Sequence, residues 1–160
     1  AQGLARQILI VDCDVHQGNG TAAIVKTDPT IFSFSIHGRK NFPFHKEKSD
    51  MDIALPDHTD DDAYLEALAK GLDGAMQAFT ADLVVYLAGA DPFENDHFGR
   101  LSLTKDGLAE RDRLVFERCR QAGLRVAVTL AGGYAPLTQD IIDINFQTIV
   151  TALALQKRLA

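Results

Sequence analysis

Four short apolar runs, residues 8–11, 31–36, 83–88 and 126–131, constrain the fold more than any other feature of this sequence. Each is rich in Val, Ile, Leu or Phe without strict polar alternation, the pattern of strands covered on both faces. Helical periodicity fills the spaces between them. Over residues 62–79, Tyr64, Leu65, Leu68, Leu72, Ala75 and Phe79 share one face. Asp60, Asp61 and Asp62 place acid at the end of that helix where the dipole favours it. Over residues 104–122 the repeat runs through Leu108, Leu114, Val115 and Cys119, with Thr104 as the N-cap and Gly123 as the stop. A last helix is predicted over residues 141–159, with Lys157 and Arg158 as its solvated end. Strands alternating with helices predict an α/β fold with a mainly parallel sheet. The stretch 37–58, with Gly38, Pro43, Pro56 and many charges, reads as a long irregular loop. It would lie outside the C-terminal end of a strand, where open α/β sheets bind ligands.

Composition narrows the function classes. A chain of 160 residues builds a core of its own and fits one domain. Its net charge of −6 gives no support for direct nucleic-acid binding. No run approaches the ~18 apolar residues that span a bilayer, so no membrane association is expected. Cys13 and Cys119 stand at no metal or redox spacing, and Cys13 reads as a reduced core thiol suited to the cytoplasm. The chain runs from Ala1 almost at once into an apolar strand. The expectation is a piece of a longer protein whose first strand is an open hydrophobic edge. Such a piece would pair with a missing N-terminal half or associate with itself.

Chemistry-bearing residues gather where three of the four strands end. After the first comes Asp12-Cys13-Asp14-Val15-His16-Gln17-Gly18-Asn19-Gly20. An extended backbone puts Asp12, Asp14 and His16 on one side, about 7 Å between successive members. Carboxylates and an imidazole so placed suit a catalytic zinc or a similar divalent ion. Asp12 or Asp14 alone would more simply cap a helix, but three such groups in five residues favour ligation. After the third strand, Gly89-Ala90-Asp91-Pro92 offers one more acid at the same sheet edge. Asp91 would complete two carboxylates and one imidazole, leaving a metal position open. Alone it would be a turn acid before Pro92. After the fourth strand, Ala131-Gly132-Gly133-Tyr134 offers close backbone approach and a phenol able to hydrogen-bond an oxyanion. Taken singly it would be a turn with a packing tyrosine.

The remaining histidines carry less. His45, His58 and His97 sit in polar stretches and read as solvated, while His37 follows the second strand and stands open between core and site. A dinucleotide reading of Gly18-Asn19-Gly20 lacks the third spaced glycine.

These motifs resemble those of the zinc-dependent histone deacetylases, over residues 8–153. Asp12 to Gly20 is similar to the family's strand-end metal motif, Gly89-Ala90-Asp91 to its Gly-Ala-Asp motif, and Gly132-Gly133-Tyr134 to its glycine-tyrosine loop. The His16 to Gly20 wording, residues 95–104 and Glu110-Arg111-Asp112 resemble the class IV branch and its bacterial relatives. The resemblance implies a three-layer αβα architecture of the arginase/deacetylase type, incomplete on its N-terminal side. Residues 1–160 would then be the C-terminal part of a single deacetylase domain roughly twice as long.

Residue by residue, it implies zinc on Asp14, His16 and Asp91. Asp12, Ser35 and Ile36 would serve a monovalent cation, potassium in the family, with Asp12 also orienting a histidine. Phe42 and Phe98 would line an acyl-lysine tunnel beside Gly132 and Gly133, and Tyr134 would stabilise the oxyanion. Asn19 stands where some branches carry an acid that orients a second histidine. The family's general base is one of two adjacent histidines upstream, and this sequence has no adjacent histidine pair. The implied activity is hydrolysis of the amide of an acyl-lysine protein or an acylated polyamine, with the isolated chain inactive. Two rivals stay open. One is a non-catalytic metal-binding or interaction module, and the other an arginase-like di-manganese ureohydrolase drawing on Glu94 and Asp96.

Overall fold

The computed structural model describes residues 5–156. Nine elements follow one another: β1 (Ile8–Asp12), α1 (Asn19–Val25), β2 (Ile31–Gly38), β3 (Met51–Leu55), α2 (Asp61–Ala78), β4 (Leu83–Ala88), α3 (Lys105–Gln121), β5 (Arg125–Leu130) and α4 (Thr138–Gln156). The four strands and three helices read from periodicity are all present, with ends displaced by a few residues at most. Lys157, Arg158 and the end of the last helix lie outside the described residues.

All strand pairings are parallel, in the order β3-β2-β1-β4-β5. Parallel neighbours need crossovers, and right-handed crossovers decide which face each helix covers. The chain moves one way from β1 to β2 and the other way from β3 to β4 and from β4 to β5. α1 therefore lies on one face and α2 and α3 on the other, with α4 packed against α3. This is the αβα layering.

The α2–α3 face holds the dense core. Leu9, Val11, Phe34, Ile36, Val84 and Tyr86 point into it and are buried, meeting Tyr64, Leu68 and Leu72 of α2 and Val115 and Phe116 of α3. Tyr86 and Phe116 meet edge to face at 5.5 Å. Among the described residues the opposite face has only α1, and Ile8, Ile10, Val85 and Leu87 there stay half-buried. α2 and α3 begin on side-chain caps. Asp60 accepts from the Ala63 N–H at 3.1 Å, and Thr104 accepts from the Gly107 N–H at 3.0 Å, each satisfying an orphan donor of the first turn. Gly123 ends α3 at φ 69°, a left-handed conformation that favours glycine.

Two expectations are corrected. β1 is no open edge: it is the middle strand, paired to β2 and β4 along its whole length. The strand left without a second neighbour among the described residues, beside the edge strand β3, is β5, whose residues alternate between half-buried and exposed. Residues 37–58 are not one irregular loop either. Met51, Ile53 and Leu55 alternate with Asp52 and Ala54 to form β3, which pairs from Phe34↔Met51 to Gly38↔Leu55. Among the described residues no helix is long and apolar enough to cross a membrane.

Candidate metal centre

The strand order reverses between β1 and β4, and open α/β sheets bind ligands outside the C-terminal ends of the strands at such a switch point. Asp14 and His16 follow β1, and Asp91 follows β4. One donor atom from each lies within 4.8 Å of the other two. His16 Nδ1 is 3.1 Å from Asp14 Oδ1 and 3.2 Å from Asp91 Oδ2.

Backbone groups hold the carboxylates in place. The N–H of Val15 donates to Asp91 Oδ1 at 2.8 Å, that of His16 to Asp14 Oδ1 at 3.0 Å, and that of Gly132 to Asp14 Oδ2 at 2.9 Å. The last bond joins residues 118 positions apart and brings the loop after β5 against the site. A β-carbon at Gly132 would lie 2.1 Å from Asp91 Oδ2 and 2.7 Å from Asp14 Oδ2, so only glycine fits. Asp12 stands behind: its Oδ1 accepts from the Asp14 N–H at 3.0 Å, and it is buried.

The cluster is electrostatically strained towards a cation. Hydrogen bonds to Asp14 and then Asp91 raise the His16 imidazole to about 10. Burial, then the charges of Asp14 and Asp91, carry the Asp12 carboxyl to about 7 against the opposing Asp14 N–H bond. Burial likewise lifts Asp91 above the ordinary carboxylate range. Burial pushes Asp14 upward too, but its hydrogen bonds from His16 and Gly132 outweigh it and leave the group below its ordinary value. Two carboxylates and an imidazole nitrogen, gathered at this spacing, fit a divalent ion of zinc type with a coordination position left over.

The other predicted residues fall around this group with mixed outcomes. Tyr134 lies two residues past Gly132, exposed, its ring edge-on to Phe98 at 5.1 Å. Phe42 is exposed as well, and the neighbouring Asn41 donates to the Phe98 carbonyl at 2.6 Å, so the two loops are tied. Gly133 would bring a β-carbon 3.1 Å from Ala90, tight but outside the carboxylate group. Ser35 pairs in register with Asp12 across β1 and β2, and its hydroxyl lies 3.0 Å from His37 Nδ1. Ile36 is buried beside it. His37 belongs to the core rather than the metal group, and burial lowers it to about 4. Asn19 opens α1 three residues past His16. His45, His58 and His97 are exposed, as expected. Glu94 is exposed and does not join the metal group, and Asp96 spends its oxygens on backbone N–H groups.

Two features escaped the sequence reading. Asp96 accepts from Phe98, Gly99 and Tyr134 backbone N–H groups, and its Asx-type position before His97-Phe98-Gly99 was the available signal. Beneath the site, the fully buried Arg111 donates to the Gly89 carbonyl and to Asp112, which also accepts from the Tyr86 and Thr148 hydroxyls. That network fixes the backbone two residues before Asp91.

Comparison with known proteins agrees with this geometry. The family model described as "Histone deacetylase domain" matches residues 1–148. An uncharacterized protein of Picosynechococcus is 48% identical over 141 residues, covering 88% of this chain and 47% of that protein. Histone deacetylase 2 of Arabidopsis thaliana is 27% identical over 155 residues, covering 95% of this chain and 40% of its own length. The crystal structure of an acetylpolyamine aminohydrolase from Burkholderia pseudomallei superposes with a TM-score of 0.74 at 20% identity, covering 90% of this chain and 44% of that one. The chain spans about half the length, or less, of these relatives. A family match over nearly the whole chain, on a fold whose motifs converge at one switch point, means that this chain belongs to the histone deacetylase family.

Proposed function

We propose that this chain carries the metal-binding part of a zinc-dependent deacylase that hydrolyses the amide of an acylated amine. The observation behind it is the convergence of Asp14, His16 and Asp91 on one point, with Tyr134 two residues beyond the Gly132 that closes it. Asp14, His16 and Asp91 hold the ion. Bound zinc supplies Lewis acidity towards the acyl carbonyl and activates water. Phe42 and Phe98 flank the acyl chain, and Asn41 holds the two loops together. The Tyr134 hydroxyl donates a hydrogen bond to the oxyanion that develops on the substrate. The proton of the attacking water goes to a base from the rest of the protein, because this sequence holds no adjacent histidine pair. Asp12, Ser35 and Ile36 serve a monovalent cation, with Asp12 and Ser35 register partners on adjacent strands. The amine is a lysine side chain or a polyamine, in line with the substrates that the relatives' names carry.

Asp14→Ala in the complete protein tests this reading. Removing one of three protein ligands is expected to abolish stoichiometric zinc, seen by metal analysis, and to lower deacylation by at least about 10²-fold. Normal zinc content and normal deacylation would defeat it. Two manganese ions per chain would favour the ureohydrolase rival.

A further inference from the structure

Tyr134 belongs to no helix or strand: the loop after β5 runs from Ala131 to Leu137 before α4 begins. A side chain meant to meet a developing charge needs its backbone held still. The Tyr134 N–H and carbonyl themselves are held by a different loop, the one after β4. Asp96 is buried, and its two carboxylate oxygens serve different segments. Oδ1 accepts from the Phe98 N–H and the Gly99 N–H, both at 2.8 Å, closing its own loop. Oδ2 accepts from the Tyr134 N–H at 2.5 Å, 38 positions away. The His97 N–H returns a bond to the Tyr134 carbonyl at 3.3 Å. Phe98 is thereby gripped at its N–H by Asp96, at its carbonyl by Asn41, and at its ring by Tyr134. Gly99 completes the fit, since a β-carbon there would lie 2.1 Å from the Asp91 carbonyl. The loop that supplies the metal ligand Asp91 thus also clamps the tyrosine and the aromatic wall.

We infer that Asp96 is a positioning residue, which fixes Tyr134 and Phe98 in a single register beside the metal group. The inference rests on the proposed role of Tyr134. Three charge-assisted N–H···O bonds to one carboxylate are strong and directional, and no neutral side chain reproduces them. Alanine removes both halves of the clamp. Asparagine keeps the shape and one acceptor oxygen but turns an NH₂ against the N–H groups of one loop.

The test is a double-mutant cycle on the complete, zinc-loaded protein with an acyl-lysine amide substrate. Asp96→Ala is expected to lower kcat by about 10²-fold, as for loss of an oxyanion donor, with zinc content and KM nearly unchanged. In a Tyr134→Phe background the same change is expected to cost less than about threefold in kcat, because the hydroxyl it positions is gone and only the freed Phe98 ring remains to be felt. In metal-free protein the Tyr134 and Gly99 amides are expected to exchange hydrogen faster in the variant. If the alanine variant does not fold, Asp96→Asn carries the test by the same criteria. Losses that multiply in the double variant, or an unchanged kcat, would overturn the inference, as would unchanged amide exchange. A Tyr134→Phe variant with full kcat would instead count against the oxyanion role. Asp96 would then be judged on its own variants' kcat and exchange rates.

Discussion

Gly132 shows how much one missing methyl matters. Its Cα stands where any side chain would push into the Asp91 and Asp14 carboxylates. On the proposed zinc reading, Gly132→Ala is expected to weaken metal binding by about 10- to 100-fold, the size of a misplaced supporting group, while the fold survives. A metal competition titration reads this, and undiminished affinity would contradict it. Gly20 is the counterpart, with nothing within 4 Å of its virtual β-carbon on the first turn of α1. Gly20→Ala is expected to leave zinc affinity alone and to stabilise by up to about 0.5–1 kcal/mol in urea unfolding. Asp14 and His16 were legible because residue alternation past a strand end is a one-dimensional pattern, and Asp91 because an acid directly after another apolar run is one too. The reach of Asp96 to the Tyr134 N–H and of Asn41 to the Phe98 carbonyl was not legible. Their partners are backbone groups of other loops, and the orientation of an N–H leaves no trace in residue type.

At the scale of the element, α3 shows where a periodic reading stops. Its buried stripe runs Leu108, Arg111, Asp112, Val115 and Cys119, an apolar spacing with an ion pair in the middle. The stripe was visible in the sequence, but the charged pair within it was not read as interior. Arg111 Nη2 lies 2.8 Å from Asp112 Oδ1, with both side chains wholly excluded from solvent. Arg111→Met would strand the Asp112 carboxylate among Tyr86, Thr148 and the core, and breaking one side of such a pair costs about 3–5 kcal/mol. Urea unfolding of the complete protein measures this. A loss under about 1 kcal/mol would show that the pair contributes little. β3 was missed for a related reason. Its Met51, Ile53 and Leu55 alternation is short, and the charged run before it outweighed the pattern.

Across the whole molecule, the parallel sheet and its helices were legible because period and punctuation agree from end to end. Strand order was not, since pairing depends on contacts far apart in the chain, and the open edge was assigned to β1 instead of β5. The edge of β5 adjoins a cleft of about 530 Å³ lined by Phe116, Leu124, Val126 and Leu153, and Ile142, Phe146 and Ile149 of α4 are exposed. An apolar face beside an unpaired strand seeks a partner. Residues 1–160 prepared alone are expected to self-associate in sedimentation and to bind a hydrophobic dye, and the complete protein to do neither. A dye-silent monomer of the 160 residues would contradict this.

The bond from Gly132 to Asp14 also sets an order of events. Asp14 and His16 are among the first residues of this stretch to leave the ribosome, Asp91 follows much later, and Gly132 arrives near the end. Contacts of such long sequence separation form late and slowly. A nascent chain therefore carries both halves of its acid–imidazole pair long before it can confine an ion between them. On the proposed metal-binding reading, ion uptake would then report that this stretch has been made through Gly132.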